Sequence, residues 1–256
     1  TGGSEQMRID SSGRLLIGTS TARVESNGFA APLQVEGTGT ATSSVIIARN
    51  SNNASSSNLI FQKSRGTSVG SNTVIQNGDA VGTIIFEGSD GTNTDSLASI
   101  IGACDGTPGA NDVPGRLVFS TTADGAASST ERLRITSGGM LEMRSDMSAA
   151  DQATRNIFRF TDTDTSTTSN QSMGRLQWFS SDASGGGACV KAEIEAVAND
   201  STPEANLLFK THTSSNTSPT ERMRITGDGH VGIGTSSPRK KLDLIGPDGA
   251  SGASSG

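Results

Sequence analysis

The phrase Thr130-Glu131-Arg132-Leu133-Arg134-Ile135-Thr136 returns as Thr220-Glu221-Arg222-Met223-Arg224-Ile225-Thr226 and, altered, as Glu5-Gln6-Met7-Arg8-Ile9-Asp10. A chain that repeats itself this closely must adopt a structure that can also be repeated. Leu133 with Ile135, Met223 with Ile225 and Met7 with Ile9 recur at period two, with Arg134, Arg224 and Arg8 between them. That alternation predicts a half-buried strand. Each copy then passes through a glycine into Gly139-Met140-Leu141-Glu142-Met143, Gly229-His230-Val231-Gly232-Ile233 or Gly13-Arg14-Leu15-Leu16-Ile17. Strand, glycine turn and strand together predict a hairpin.

The repeat extends through the middle of the chain. Gly82-Thr83-Ile84-Ile85-Phe86 aligns with Gly174-Arg175-Leu176-Gln177-Trp178, Ala98-Ser99-Ile100 with Ala192-Glu193-Ile194, and Leu117-Val118-Phe119 with Leu207-Leu208-Phe209. The offsets drift between 90 and 94, which places length changes in loops. Four short strands per unit without intervening helices predict an all-β chain, an elongated repeat structure of β-solenoid or β-meander type. The expected divisions are an N-terminal hairpin and β-rich segment over 1–80, repeat units over 81–143 and 144–233, and a C-terminal strand with a flexible Gly/Ser/Ala tail over 234–256. The first and last segments share a plan, because Leu33 and Val35 correspond to Leu242 and Leu244. Strands are also expected at Val45–Ala48 and Leu59–Gln62. A short turn or helix is expected over 145–154, and an acid-guarded strand edge over Thr161–Ser166.

Composition sharpens this picture. Leu, Ile, Val and Phe make up 48 of 256 residues, there are 32 glycines and no tyrosine, and the net charge is only −6. So little large apolar residue cannot fill an ordinary core, yet the charge is too low for a disordered chain. The thin core is expected to be completed by neighbouring repeats or other copies, in an obligate oligomer. The acidic balance excludes a phosphate-backbone partner, since Arg239-Lys240-Lys241 is too short a basic run, so no nucleic acid is expected. No stretch approaches the ~20 apolar residues of a membrane span, and neither membrane insertion nor a secretory signal is expected. Beginning at Thr1, the sequence reads as a fragment or a processed chain.

No catalytic, cofactor or metal site is read from the residues. Cys104 and Cys189 lack ligand spacing and are expected as small buried or semi-buried side chains. His212 and His230 are the only histidines, and His230 takes the place of Arg14 and Met140 in the other copies, as an interchangeable surface residue would. No strand-to-helix nucleophile elbow is read from the residues. Glu193 and Glu195, or Asp162 and Asp164, could form a glycosidase pair, but Glu193 and Glu195 flank Ile194 and are expected on a solvated outer face. Trp178 aligns with Phe86 and is expected in the core, leaving Phe179 as the better exposed aromatic. Ser184-Gly185-Gly186-Gly187 lacks a phosphate-loop lysine and reads as a strand-joining loop.

Several phrases taken in order resemble the shaft and distal regions of bacteriophage tail fibres and tailspikes, especially those that end in an endosialidase-type intramolecular chaperone. They are Pro114-Gly115-Arg116-Leu117-Val118-Phe119-Ser120-Thr121-Thr122-Ala123-Asp124-Gly125-Ala126, then Thr130 to Ile135, then Gly229 to Pro238 with Leu242-Asp243-Leu244. In such proteins the Gly-Ile-Gly-Thr-x-x-Pro phrase commonly precedes the chaperone. Here Gly246-Pro247-Asp248-Gly249 and a Gly/Ser/Ala stretch follow instead of the chaperone, which leaves a cleaved product, a truncated chain and a member that never had one all open, and gives no argument for autoproteolytic processing.

The resemblance implies an intertwined or side-by-side homotrimeric fibre that contributes to host attachment as a virion component. Such a fibre would assemble in the host cytoplasm, be extracellular after release, and meet other tail proteins and a host glycan or protein receptor. Met7, Ile9, Phe86, Phe119, Leu133, Ile135, Leu141, Leu176, Trp178, Phe209, Met223, Ile225, Val231 and Ile233 would pack into a shared interior, with Arg132 and Arg134 on the other face. Any salt bridge of Glu131 or Arg132 is expected with another strand or chain. The alternatives are a tailspike depolymerase acting on capsular or lipopolysaccharide glycans, and a bacterial surface or secreted β-repeat filament.

Overall fold

A computed structural model describes residues 5–26, 28–145, 157–163, 166, 168–182, 187–199, 204–213 and 218–246. The chain divides into two compact units, Thr1–Asn156 and Ile157–Gly256. The first holds a three-stranded sheet, β1 (Met7–Ile9), β2 (Leu15–Ile17) and β3 (Leu33–Val35). It also holds a five-stranded sheet of β4 (Ala80–Ser89), β5 (Thr94–Cys104), β6 (Gly115–Thr121), β7 (Thr130–Ile135) and β8 (Leu141–Met143). The second unit has one six-stranded sheet, β9 (Ser172–Ser180), β10 (Cys189–Ala198), β11 (Ala205–Thr211), β12 (Thr220–Ile225), β13 (Val231–Ile233) and β14 (Leu242–Leu244). The described residues contain no α-helix, only a 3-10 turn at Thr40–Thr42. Strand order follows chain order in every sheet; β4 to β8 and β9 to β13 pair antiparallel as two meanders, and no sheet closes into a barrel among the described residues.

The glycine turns form as their residues dictate. Gly13, Gly139 and Gly229 have φ of 76°, 79° and 80°, the left-handed region that glycine enters without steric cost. Their amides donate to the carbonyls of Asp10, Thr136 and Thr226 at 3.0, 2.9 and 2.9 Å. The side chains of those same three residues accept from the amides of Arg14, Met140 and His230, so each turn is closed twice.

The hairpins at the two ends of the chain each gain a third, parallel strand. Val231 pairs with Leu242 and Ile233 with Leu244, as Leu15 pairs with Leu33 and Ile17 with Val35. Three-residue strands span only about 10 Å, which lets the chain return along 234–241 without a long crossover. Gly18 and Gly234 make the return possible. Both have positive φ, and a Cβ there would lie 2.0 Å from the Glu36 carbonyl oxygen or 2.2 Å from that of Ile245.

Some expected elements differ. Val45–Ala48 and Leu59–Gln62 are not paired strands: residues 44–51 and 55–64 run without turn or ladder to any described strand. Residues 161–163 are exposed and lie in no strand, while Asp164 and Thr165 lie outside the described residues. The expected helix over 145–154 falls outside them beyond Ser145, as do Ser184 to Gly186 and the tail from Pro247.

Candidate assembly faces

Ladder pairing lines the aligned residues up in transverse rows. In the first unit Ile84, Ile100, Phe119, Leu133 and Met143 stand opposite one another across five strands. In the second unit the row is Leu176, Ile194, Phe209, Met223 and Ile233. Beside these run Gly82, Gly102, Leu117, Ile135 and Leu141, and correspondingly Gly174, Ala196, Leu207, Ile225 and Val231. Phe86 opposite Ala98 and Trp178 opposite Ala192 begin a third row. Residues two apart on a strand share a face, so each sheet carries one continuous apolar face.

Within a single chain much of these faces is uncovered. Phe86 is 51% exposed, Trp178 54% and Leu141 62%. In the N-terminal sheet Met7 and Ile9 are likewise exposed. Phe119, Leu133, Phe209, Met223, Ile225 and Val231 are half-buried by their row neighbours, while Ile135, Leu176 and Ile233 are exposed. Phe179, on the opposite side of β9 from Trp178, is also exposed.

Each meander has three bulges, in the same places. β4 and β5 slip past one another between Ala80 and Gly82 and between Phe86 and Glu87, and β9 and β10 do so at the equivalent steps. The third bulge skips Arg132 opposite Phe119 and Ser120, and Arg222 opposite Phe209 and Lys210.

This last bulge changes the expected placement of the charges. Strict alternation would put residues three apart on opposite faces, but the extra residue brings Glu131 and Arg134 onto the same one. There Arg134 Nε donates to Glu131 Oε1 at 2.6 Å and Nη2 to Oε2 at 2.8 Å. Arg224 and Glu221 do the same at 2.7 Å, as do Arg8 and Glu5. The Arg134 guanidinium holds the Glu131 carboxyl below the usual carboxylate range. Two expectations are therefore corrected: Glu131 forms its main ion pair within its own strand, and Arg132 and Arg134 lie on different faces. Arg132 Nε reaches Thr121 Oγ1 at 3.3 Å, and Thr121 alternates with Phe119 on the apolar side.

Glu193 and Glu195 also contradict expectation, since they are only 5% and 4% exposed. Lys210 on β11 donates to both, at 3.1 Å to Glu193 and in closer contact with Glu195. From β9, Arg175 Nη2 meets Glu195 at 2.7 Å and Gln177 donates to Glu193. The sequence places these acids on the outer face correctly, but it cannot show that long cationic neighbours fold over them. Burial alone would raise the Glu195 carboxyl; the hydrogen bonds from Lys210 and Ser172 outweigh it and hold it below its ordinary value.

A glycine in each first strand receives an aromatic ring. Phe61 lies against Gly82, where a Cβ would stand 2.3 Å from the Phe61 Cβ, and Phe160 lies against Gly174, where a Cβ would stand 2.7 Å from the Phe160 Cβ. Phe158 stacks edge-on against Phe160 with centroids 4.9 Å apart. Near one end of the five-stranded sheet a cavity of about 410 Å³ is lined by Val81, Gly102, Cys104, Val113, Leu117 and Ile135, in the space that Gly102 leaves unfilled. Beside it Asp105 accepts from the Ser137 amide and Arg116, which hold its carboxyl down at about 2.

The remaining candidate groups are dispersed. His230 Nδ1 lies 3.2 Å from Asp228, and His212 Nε2 is buried without a hydrogen-bond partner. Cys104 is buried, Cys189 is half-buried, and both are free thiols. Among the described residues no group of three or more His, Cys, Asp or Glu side chains converges in a way that could hold a metal ion, and no helix is long and apolar enough to cross a membrane.

No protein-family model matches the chain, and no curated protein matches it. Among solved structures, the carboxy-terminal domain of the bacteriophage T5 L-shaped tail fibre overlays with a TM-score of 0.32 at 12% identity, covering 81% of this chain and 95% of that one. The same domain solved with its intramolecular chaperone domain gives the same score and identity, with 65% of its length covered.

Proposed function

We propose that this chain is a structural and adhesive segment of a phage tail fibre or spike that works as a homotrimer. The observation that carries the reading is the pair of apolar faces. Each is built from matching rows, each is exposed in one chain, and neither has a second layer in its own sheet to cover it. A fully buried Phe or Leu contributes about 1.5–3 kcal/mol relative to an exposed one, so faces of this size favour assembly strongly. The sequence phrases shared with tail fibres supply the biological setting: attachment to a host surface, as part of a virion, alongside other tail proteins.

No catalytic role is assigned. The acids closest together on the sheet, Glu193 and Glu195, sit beneath Lys210 and Arg175 and not in an open cleft. Light scattering combined with particle imaging tests the reading. A mass of three chains in an elongated particle is the expected result, and a compact monomer overturns it. Incubation with host polysaccharide and a reducing-end assay checks the catalytic part, with no product expected.

A further inference from the structure

Residues 43–63 hold two apolar runs, Val45-Ile46-Ile47-Ala48 and Leu59-Ile60-Phe61, joined by a polar stretch of Asn, Ser and Ala with Arg49. None of residues 45–49 or 58–63 makes a backbone–backbone hydrogen bond; the one backbone contact is the Ile47 carbonyl, which accepts from Ser57 Oγ at 2.9 Å. Val45, Ile46, Leu59 and Ile60 are 71%, 88%, 67% and 77% exposed.

Such runs do not alternate. Three consecutive large apolar residues point to both sides of an extended chain, so a single covering layer cannot bury them. Amides and carbonyls left without a backbone partner along both runs form a template for another strand. The sequence also indicates which strand. From Val45 to Lys63 there is no acid, no proline and no glycine, and the only charges are Arg49 and Lys63. Apolar β-formers with Asn and Ser, low charge and no breakers are the composition in which identical segments pair with one another. Phe61 against Gly82 fixes the second run to the start of the five-stranded sheet, and so presents it at a defined place.

We infer that Val45–Ala48 and Leu59–Gln62 are strands that exist only between chains, each pairing with another copy of this protein. The inference deepens the homo-oligomer reading and rests on it. It adds that copies join through shared backbone ladders here as well as through the apolar sheet faces.

Hydrogen–deuterium exchange of the full chain, run on a sample whose mass is measured in parallel, tests it. In an oligomer, the amides of 45–49 and 58–63 are expected to exchange at least about a hundredfold more slowly than unstructured chain. An oligomer in which β4 to β8 are protected while these amides exchange freely overturns the strand pairing and leaves the oligomer standing. A monomer overturns both. Ile60→Pro removes one donor that has no partner within the chain; it is expected to lower the assembled fraction at least tenfold at fixed concentration, while Ser51→Pro in the polar stretch leaves it unchanged. Equal assembly of Ile60→Pro and the unaltered protein also overturns the pairing.

Discussion

The two large meanders share their register and their bulges, yet their polar faces are built from different chemistry. Where the first unit has Thr83, Ile85, Ser99, Ile101 and Ser120, the second has Arg175, Gln177, Glu193, Glu195 and Lys210 at the matching ladder positions. One face is filled by small and β-branched side chains, the other by a lattice of ion pairs. The apolar faces, by contrast, keep their chemical kind row by row. A side that must fit another surface is restrained by that surface, whereas a side that need only satisfy itself can change its whole vocabulary.

The largest effect is expected at the shared face. Ile135→Asp, or its equivalent Ile225→Asp, places a charge in an apolar row, and complete loss of the oligomer is expected by light scattering. A native-sized assembly from either variant would break the idea that both faces do the same work.

The next effect separates the units. Lys210→Met leaves the buried Glu193 and Glu195 with Arg175 as their remaining cation, so a loss near or below the lower end of the about 3–5 kcal/mol that breaking a buried ion pair costs is expected. Replacing the three innermost members with the first unit's residues, Glu193→Ser with Glu195→Ile and Lys210→Ser, removes both carboxylates together with Lys210 and is expected to be near neutral. Denaturant unfolding followed by Trp178, the sole tryptophan, which lies in β9, reads the second unit directly. A single variant as stable as the triple one would show the lattice to be solvated.

Acid should expose the same difference more gently. The Glu195 carboxyl titrates below its ordinary value near 4.5, so the stability it contributes is complete above that value and is lost as the pH falls through the lower folded one. The Trp178-monitored transition is expected to weaken as the pH falls below about 4.5, and to weaken less in the triple variant.

The smallest effect belongs to the clamp common to both units. Arg134→Ala is expected to cost about 0–1 kcal/mol, as partly exposed ion pairs do, and Arg132→Ala no more. Matching losses for Arg134→Ala and Arg224→Ala would sharpen the equivalence of the two sheets.

What was legible in the sequence follows from this division. The hairpins, the glycine turns and the rows could be read because period-two alternation and positive-φ glycine leave marks on the residues themselves. Ala98 opposite Phe86 and Ala192 opposite Trp178 follow from the internal alignment. The bulges left no such mark, since an extra residue such as Leu97 or Arg132 looks like any other. One signal was present all the same. Glu-x-x-Arg stands in all three copies, as Glu5 and Arg8, Glu131 and Arg134, and Glu221 and Arg224. Opposite charges three apart in a strand cannot meet unless the alternation is broken, or unless one of them lies outside the strand as Glu5 does. The burial of Glu193 and Glu195 was not legible because it depends on β9 and β11, whose cations reach the acids only after the ladders are set. The runs at 45–48 and 59–62 have the residues of strand formers, but no ladder takes them up among the described residues.

The bulges have one more consequence. A surface that repeats every two residues looks the same after sliding by two, so alternation alone offers a partner many equivalent seats along the strand. Bulges at Arg132 and Leu97, and at Arg222 and Lys191, break that translational symmetry, as unequal divisions on a vernier scale allow only one line to coincide. A sheet marked in this way admits a single alignment of whatever lies against it.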